Sequence, residues 1–196
     1  MSMSTEVVAQ PGTLVHDNQG DAQYLTFLIN GEMFAINILG VKEIIEYGNI
    51  TPIPMMPSFI RGVINLRGAV VSVVDLNARF GNAPSSITRR SCIVIIENVH
   101  PDDPEHGNQD IGVVVDSVSE VLTIPCNEIE PPPSFGARIR ADFISGMGKV
   151  NGKFVILINT EKVLSIDEMA QLSEMAQLSE LTQQQERLLE QKPQTP

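Results

Sequence analysis

The chain has 196 residues, of which 42% are hydrophobic but only 5% aromatic, so its core must be built mainly from Val, Ile and Leu, a composition that favours strands. Thirteen basic and 24 acidic residues give a net charge of −11, which argues against non-specific binding of nucleic acid through phosphate contacts. The apolar runs are far shorter than the ~18 residues of a membrane span, and the first residues carry no secretory or mitochondrial signal, so we expect a cytoplasmic protein.

The first 21 residues are polar, and we expect a disordered leader there. From residue 22 to residue 164, short apolar runs alternate with Gly, Pro and Asn turn signals, which is typical of strands. Nine or ten such strands are too many for one small barrel, so the sequence predicts a mainly β fold of two packed barrels. The predicted strands cover residues 24–29, 33–36, 92–96, 111–115, 118–124, 143–150, 154–158 and two runs within 59–76.

The connections between these runs have their own signals. Asn30-Gly31 and Asn151-Gly152 predict tight hairpin turns. Residues 51–57 contain three Pro, which exclude a helix and favour an extended arm. Residues 98–110 form a long acidic loop with no apolar pattern. The spacing of Val41, Ile44 and Ile45 fits either a short helical turn or an irregular strand.

Residues 59–76 hold the most informative pattern in the chain. Two apolar runs, the second rich in β-branched residues, are separated by two or three residues, which predicts a hairpin. Asn65 and Gly68 suit its turn, while Arg61 and Arg67 stand in otherwise apolar surroundings. The pattern predicts a rigid β surface that presents a guanidinium at a turn.

The wider window from residue 61 to residue 90 is locally basic, with five arginines and Asp75 as its acid. Two interpretations remain open: five ordinary surface arginines, or a docking surface for an acidic partner. A remote third alternative is a barrel that binds nucleic acid, although only Phe59 and Phe80 are available there for stacking on bases. The arginines are Arg61, Arg67, Arg79, Arg89 and Arg90.

The sequence offers no catalytic constellation, and we predict neither an enzyme nor a cofactor or metal site. There is no Gly-x-Ser-x-Gly elbow, and the glycines before Lys153 have the wrong spacing for a phosphate loop, with Phe154 where Ser or Thr is required. His100, His106 and their acidic neighbours would bind a metal only if a flexible loop became ordered. Cys92 and Cys126 lack a metal-binding spacing, and we expect no disulfide.

The C-terminal segment, residues 165–196, changes character. Ser165 and Glu168 form a capping box that predicts the start of a helix. Residues 168–173 are repeated as residues 174–179, and a shift of six residues turns a helical face by ~240°. The two copies therefore cannot share one groove, so we expect the second copy and the Gln-rich, disordered end to project into solvent.

The decapeptide Phe59-Ile-Arg-Gly-Val-Ile-Asn-Leu-Arg-Gly68 resembles the core signature of the CheW family, the coupling proteins of bacterial chemotaxis. The resemblance extends over about residues 22–168 and includes Thr51-Pro-Ile-Pro54 and Gly112-Val-Val-Val-Asp116. It implies two packed SH3-like, five-stranded β-barrels with a groove between them. Together with the short helical turns and the C-terminal α-helix predicted from the residues, this gives the expected fold. One departure is Ser72, which stands where the family usually has Pro.

The resemblance also implies a non-catalytic adaptor, recruited to membrane receptor arrays without inserting into the membrane. Its expected partners are the cytoplasmic tip of chemoreceptors, the methyl-accepting chemotaxis proteins, and the regulatory domain of the histidine kinase CheA. A scaffold of a non-flagellar chemosensory pathway is the alternative. The family's protein-binding positions match Val41, Glu43, Arg67, Val118 and Val121.

The residues themselves leave other roles open. Without the resemblance, the three valines read as core residues, and Glu43 and Arg67 as partners of each other. Asn65 and Asp75 are better explained as turn-fixing residues whose side chains cap backbone groups. The structural signature of the family matches Gly62, Asn65, Gly68, Asp75 and Gly112.

Overall fold

Short β-branched runs and tight turns produce the two sheets seen in the computed structural model, which describes residues 21–98, 109–132 and 139–165. Three predicted segments lie outside these residues: the leader before Asp21, most of the acidic loop, and the helix after Ser165. The strands are β1 (Ala22–Ile29), β2 (Glu32–Asn37), β3 (Val41–Glu46), β4 (Ile60–Leu66), β5 (Ala69–Asp75), β6 (Cys92–Asn98), β7 (Gln109–Val115), β8 (Ser117–Ile124), β9 (Ile129–Glu130), β10 (Ile144–Val150) and β11 (Lys153–Ile158), and the helices are α1 (Leu76–Arg79) and α2 (Thr160–Val163).

The strands form two sheets, which we call sheet 1 and sheet 2. Sheet 1 has the order β8-β1-β2-β11-β10-β9, and sheet 2 has the order β3-β6-β7-β5-β4. Neighbouring strands are antiparallel except for the pairs β2–β11 and β5–β7. The mainly β fold of two packed units is thus confirmed. The described part of sheet 1 contains six strands where five were expected, because the two-residue β9 adds to its edge.

The predicted hairpins are confirmed, and each turns over residues with positive φ. Asn30 and Gly31 have φ values of 51° and 81° between β1 and β2. Asn151 and Gly152 have φ values of 49° and 76° between β10 and β11. Asn and Gly adopt this left-handed backbone at low cost, which explains why these dipeptides give tight hairpin turns.

The central strands β6 and β7 of sheet 2 are buried on both faces, which explains their continuous apolar runs. Successive residues alternate between two cores because side chains on a strand point to opposite faces. Val74 and Val94 belong to a large core that also contains Phe27 and Phe34 of sheet 1, so this core lies between the sheets. Residues at alternate positions, such as Val73 beside Val74, point to the other face of sheet 2. They form a second core composed of Val71, Val73, Ile93, Ile95 and Val114.

Sheet 2 also curls upon itself. Thr51, in the extended arm after β3, exchanges two backbone hydrogen bonds of 2.9 Å with Val63 of β4, although β3 and β4 stand at opposite ends of the strand order. Of the two alternatives for residues 41–45, the irregular strand is the one observed, since β3 contains a register shift between Val41 and Glu43. The curl is what brings residues of β3 near the β4–β5 hairpin.

Candidate protein-binding surface

Arg67 occupies the tight turn between β4 and β5, where local hydrogen bonding fixes the backbone. Its φ is 53°, and Gly68 follows with a φ of 93°. The Asn65 side-chain oxygen accepts a hydrogen bond of 2.9 Å from the Gly68 N–H, which confirms the predicted turn-fixing role of Asn65. The Arg67 side chain is 80% exposed and therefore projects from a defined position.

The guanidinium of Arg67 meets the carboxylate of Glu43 on β3. Arg67 Nη2 donates to Glu43 Oε2 over 2.9 Å. This pairing was the alternative role left open by the sequence for both residues. An exposed pair of this kind adds under about 1 kcal/mol to stability. Most of the fork stays accessible, so the pair orients a cation without burying it.

The three candidate valines are not fully buried core residues. Val41 pairs with Ile96 across β3 and β6, and Val118 pairs with Phe27 across β8 and β1. Both valines are partly buried against the core between the sheets. Val121 lies on the edge strand β8 and is 46% exposed. The three side chains therefore offer apolar surface at the margin of the molecule.

We call Val41, Glu43, Arg67, Val118 and Val121 the candidate rim. The structure joins Glu43 to Arg67 directly and sets Val41 and Val118 against one shared core. Strand β3 carries both Val41 and Glu43, so it links the polar and the apolar parts of the rim. Val121 belongs to sheet 1, so the rim draws residues from both sheets.

Asp75 is the centre of a buried polar network behind the hairpin. It is fully buried, and its Oδ2 accepts from Arg61 Nε at 2.9 Å and from the Ser85 N–H at 2.8 Å. Its Oδ1 caps α1 by accepting from the Ala78 N–H at 3.2 Å, which confirms the predicted turn-fixing role. The guanidinium of Arg61 is therefore bonded to partners inside the molecule, and Arg61 is not part of a docking surface.

Arg79 is the second arginine for which the predicted surface position is wrong. It is 8% exposed, and its guanidinium carbon lies 5.1 Å from the ring centre of Phe59 and 4.7 Å from that of Phe143. Its Nε donates to the Val163 carbonyl over 3.0 Å. Sequence reasoning missed this role because the aromatic partners lie 20 and 64 positions away in the chain. Arg61 and Arg79 are therefore removed from the proposed five-arginine docking surface, and the nucleic-acid alternative loses the same two cations.

Two of the signature glycines are required by close packing. Gly62 has a φ of 136°, and a Cβ there would overlap the carbonyl of Thr51. At Gly112 a Cβ would lie 2.7 Å from Cγ2 of Ile93. Gly62 thus permits the contact that curls sheet 2, and Gly112 permits the second core to close over β7.

Charges beside the rim are held by ion pairs. Lys42 Nζ lies 2.7 Å from Asp110 Oδ1 and 3.3 Å from Glu97 Oε1. The hydrogen bond to Asp110, aided by Glu97 and opposed by partial desolvation, raises the pKa of Lys42. In the short helical turn that precedes β10, the hydrogen bond from Arg140 lowers the pKa of Asp142. The raised pKa of Lys42 and the lowered pKa of Asp142 both favour the charged form, so these two groups shape the surface without offering a proton-transfer site.

Within the described ranges, no group of three or more His, Cys, Asp or Glu side chains is arranged to hold a metal ion. A cleft of about 630 Å³ is lined by residues that include Asn77, Ser85, Arg90 and Asp116, and it reaches Ser117, the neighbour of Val118. None of the helices described is long and apolar enough to cross a membrane. The candidate rim combines the guanidinium of Arg67, which can make directional hydrogen bonds, with the apolar surface of its valines. These are features of a protein-binding module.

Comparisons with known proteins agree with that class. The CheW-like domain profile matches residues 23–168. The chain is 34% identical over 148 residues to the chemotaxis protein CheW of Klebsiella aerogenes, covering 76% of this chain and 84% of the relative. It is 28% identical over 146 residues to protein FrzA of Myxococcus xanthus, covering 74% and 86% of the two chains. The chain belongs to the CheW family.

A solved structure supports the same assignment. The scaffolding protein TtCheW of Thermoanaerobacter tengcongensis matches with a TM-score of 0.65 and 34% identity, over 76% of this chain and 90% of that one. Members of the family are non-catalytic scaffolds, and the two-sheet fold agrees with that of the solved relative.

Proposed function

We propose that this chain is a non-catalytic adaptor that couples chemoreceptors to the histidine kinase CheA in chemotaxis signalling. Family membership gives the class of activity. The observation that carries the proposal is the Glu43–Arg67 pair, which orients the guanidinium of a side chain that is 80% exposed at a fixed turn. A side chain that is oriented yet accessible is suited to directional contacts across a protein interface.

The adaptor contacts the cytoplasmic tip of the chemoreceptor and the regulatory domain of CheA. Arg67 and Glu43 supply the polar contacts, and Val41, Val118 and Val121 supply apolar contact area. Half-buried valines suit this task because their packing against the core holds them in place before a partner arrives. The signature residues Gly62, Asn65, Gly68, Asp75 and Gly112 act by shaping the backbone behind the rim.

Coupling follows from binding both partners at once. A chain that holds receptor and kinase together raises the effective concentration of each for the other. The core shared by the two sheets makes the adaptor one packed body, so a displacement at one sheet is passed to the other. The adaptor would act in the cytoplasm and be recruited to receptor arrays through its partners, without inserting into the membrane.

The test is a binding titration with two purified probes, the CheA regulatory domain and a receptor-tip fragment, in the absence of nucleotide. We expect the wild-type chain to bind both and Arg67→Glu to bind the receptor fragment at least tenfold more weakly, about 1.4 kcal/mol. Arg140→Glu is the matched control, since Arg140 is also an exposed arginine paired with a carboxylate, Asp142. Equal receptor affinity of folded Arg67→Glu and wild type would contradict the role of Arg67, and failure to bind either probe would contradict the adaptor.

A second candidate is an adaptor of a separate chemosensory pathway that is not flagellar. The similarity to protein FrzA, a relative with a different name, favours keeping it. Titrations against the kinase regulatory domains of each chemosensory system in one cell would decide between the two, because the correct kinase should bind with the lower Kd.

A further inference from the structure

Strand β8 contains a β-bulge between two of the candidate rim residues. In the pairing of β8 with β1, Val121 lies opposite Leu25 and Val118 lies opposite Phe27. Leu25 and Phe27 are two positions apart, whereas Val118 and Val121 are three apart. Ser119 and Glu120 therefore both face the single residue Thr26, which is the defining feature of a bulge.

The bulge decides which face of the sheet the two valines share. Residues three apart on a regular strand point to opposite faces. Here both valines lie opposite residues of one face, since Leu25 and Phe27 both belong to the core between the sheets. The extra residue in β8 thus puts Val118 and Val121 on the same face, one packed on the core and one 46% exposed.

The side chain of Thr26 satisfies the backbone of the bulge. Its hydroxyl donates to the Glu120 carbonyl over 2.7 Å and accepts from the Glu120 N–H over 3.2 Å. Thr26 has no exposed surface, so the hydroxyl is locked in place by its neighbours. One buried side chain thereby bonds both the N–H and the carbonyl of the bulge residue Glu120, and backbone groups that lose such partners destabilise the fold.

We infer that Thr26 is a positioning residue for partner binding, which acts by holding the bulge that sets Val118 and Val121 on one face. This inference rests on the proposed function, because it concerns the apolar half of the candidate rim. Thr26 does not touch the partner. Its hydroxyl determines the register of β8 beyond the bulge and hence where Val121 is presented.

The chemistry of the side chain gives a matched pair of variants. Thr26→Val keeps the shape and the β-branch but removes the hydroxyl, leaving the N–H and carbonyl of Glu120 without this partner. Thr26→Ser keeps the hydroxyl and loses one methyl group. A role in filling space predicts that Ser is the worse substitution, whereas a role in holding the bulge predicts that Val is worse.

The first measurement is binding to the CheA regulatory domain and to the receptor-tip fragment, in parallel, with the full chain. Whichever probe is weakened by Val121→Ala should also be weakened by Thr26→Val, by about threefold to tenfold, on the order of one lost hydrogen bond. Thr26→Ser should stay within about twofold of wild type. The double variant Thr26→Val/Val121→Ala should be little weaker than Val121→Ala alone, because both changes remove the same contact.

The second measurement is hydrogen exchange of the Glu120 amide, which needs no partner. Exchange there should be faster in Thr26→Val than in wild type or Thr26→Ser. Unchanged exchange, or full affinity of Thr26→Val alongside a weakened Val121→Ala, would overturn the inference alone. Full affinity of both Val118→Ala and Val121→Ala would overturn the apolar half of the rim and the inference with it, while Arg67→Glu still tests the adaptor separately.

Discussion

Glu43 and Arg67 belong to elements at opposite ends of the strand order of sheet 2, yet their Oε2 and Nη2 atoms lie 2.9 Å apart. The curl that joins Thr51 to Val63 brings them together. The pair is a surface feature with little effect on stability, and its value lies in orienting an exposed guanidinium. Its role in binding can therefore be separated from its role in the fold.

Exchanging the two charges makes that separation. We expect the free energy of unfolding of Glu43→Arg/Arg67→Glu to lie within about 1 kcal/mol of the wild-type value, since an opposite-charge pair remains. Binding to the receptor fragment should stay at least about tenfold weaker than wild type, because the fork is moved from the turn to β3. Calorimetric titration gives the affinity and urea unfolding the stability. Recovery of full affinity would show that the pair, rather than Arg67 itself, is what binding requires.

Asp75→Asn tests the buried network behind the hairpin. The variant leaves the Arg61 guanidinium without its carboxylate while preserving an oxygen that caps α1. We expect a loss of about 3 kcal/mol in the free energy of unfolding, at the lower end for a broken buried pair because Arg61 is 23% exposed. Asp142→Asn, at an exposed pair, is the control and should cost less than about 1 kcal/mol. Similar losses in the two variants would contradict the structural weight given to Asp75.

Gly62→Ala should be far more disruptive than Gly31→Ala, although both glycines have positive φ. At Gly31 nothing lies within 4 Å of an added Cβ, so only the backbone preference is lost, about 1–2 kcal/mol. At Gly62 the added carbon also overlaps the Thr51 carbonyl, so the contact that curls sheet 2 must break. Thermal unfolding compares the variants, and equal melting temperatures would show that the Thr51 contact is dispensable.

Two arginines lie against the same ring, which offers a matched comparison. Arg79 and Arg140 stand 4.7 and 4.5 Å from the ring centre of Phe143, but Arg79 is buried and Arg140 has an exposed side chain. Arg79→Met loses a second ring, Phe59, and the hydrogen bond to the Val163 carbonyl. We expect it to cost about 2–3 kcal/mol in unfolding free energy, from the lost hydrogen bond to a charged group and the lost ring contacts. Arg140→Met should cost less than about 1 kcal/mol, and the opposite order would refute the buried role of Arg79.

Sequence alone determined the features whose causes lie within a few residues. The dipeptides Asn30-Gly31 and Asn151-Gly152 gave their turns because Asn and Gly accept left-handed backbone. Asn65 and Asp75 were predicted to fix turns, and each bonds a backbone N–H three residues further along the chain. The family signature around Arg67 was equally readable, because a short motif carries its own spacing.

Tertiary structure decided the features that join distant parts of the chain. The burial of Arg79 depends on Phe143 and Val163, which no pattern near Arg79 specifies. The pairing of Glu43 with Arg67 depends on the curl of a whole sheet. The spacing of Val118 and Val121 indicates opposite faces of a strand, and only the bulge held by Thr26, 94 residues from Glu120, puts them on one face. Local hydrogen bonds are set by neighbouring residues, whereas strand register is set by the partner strand. This is why the turns were predictable from the sequence, whereas the rim residues could be named from the family resemblance but their arrangement in space could not.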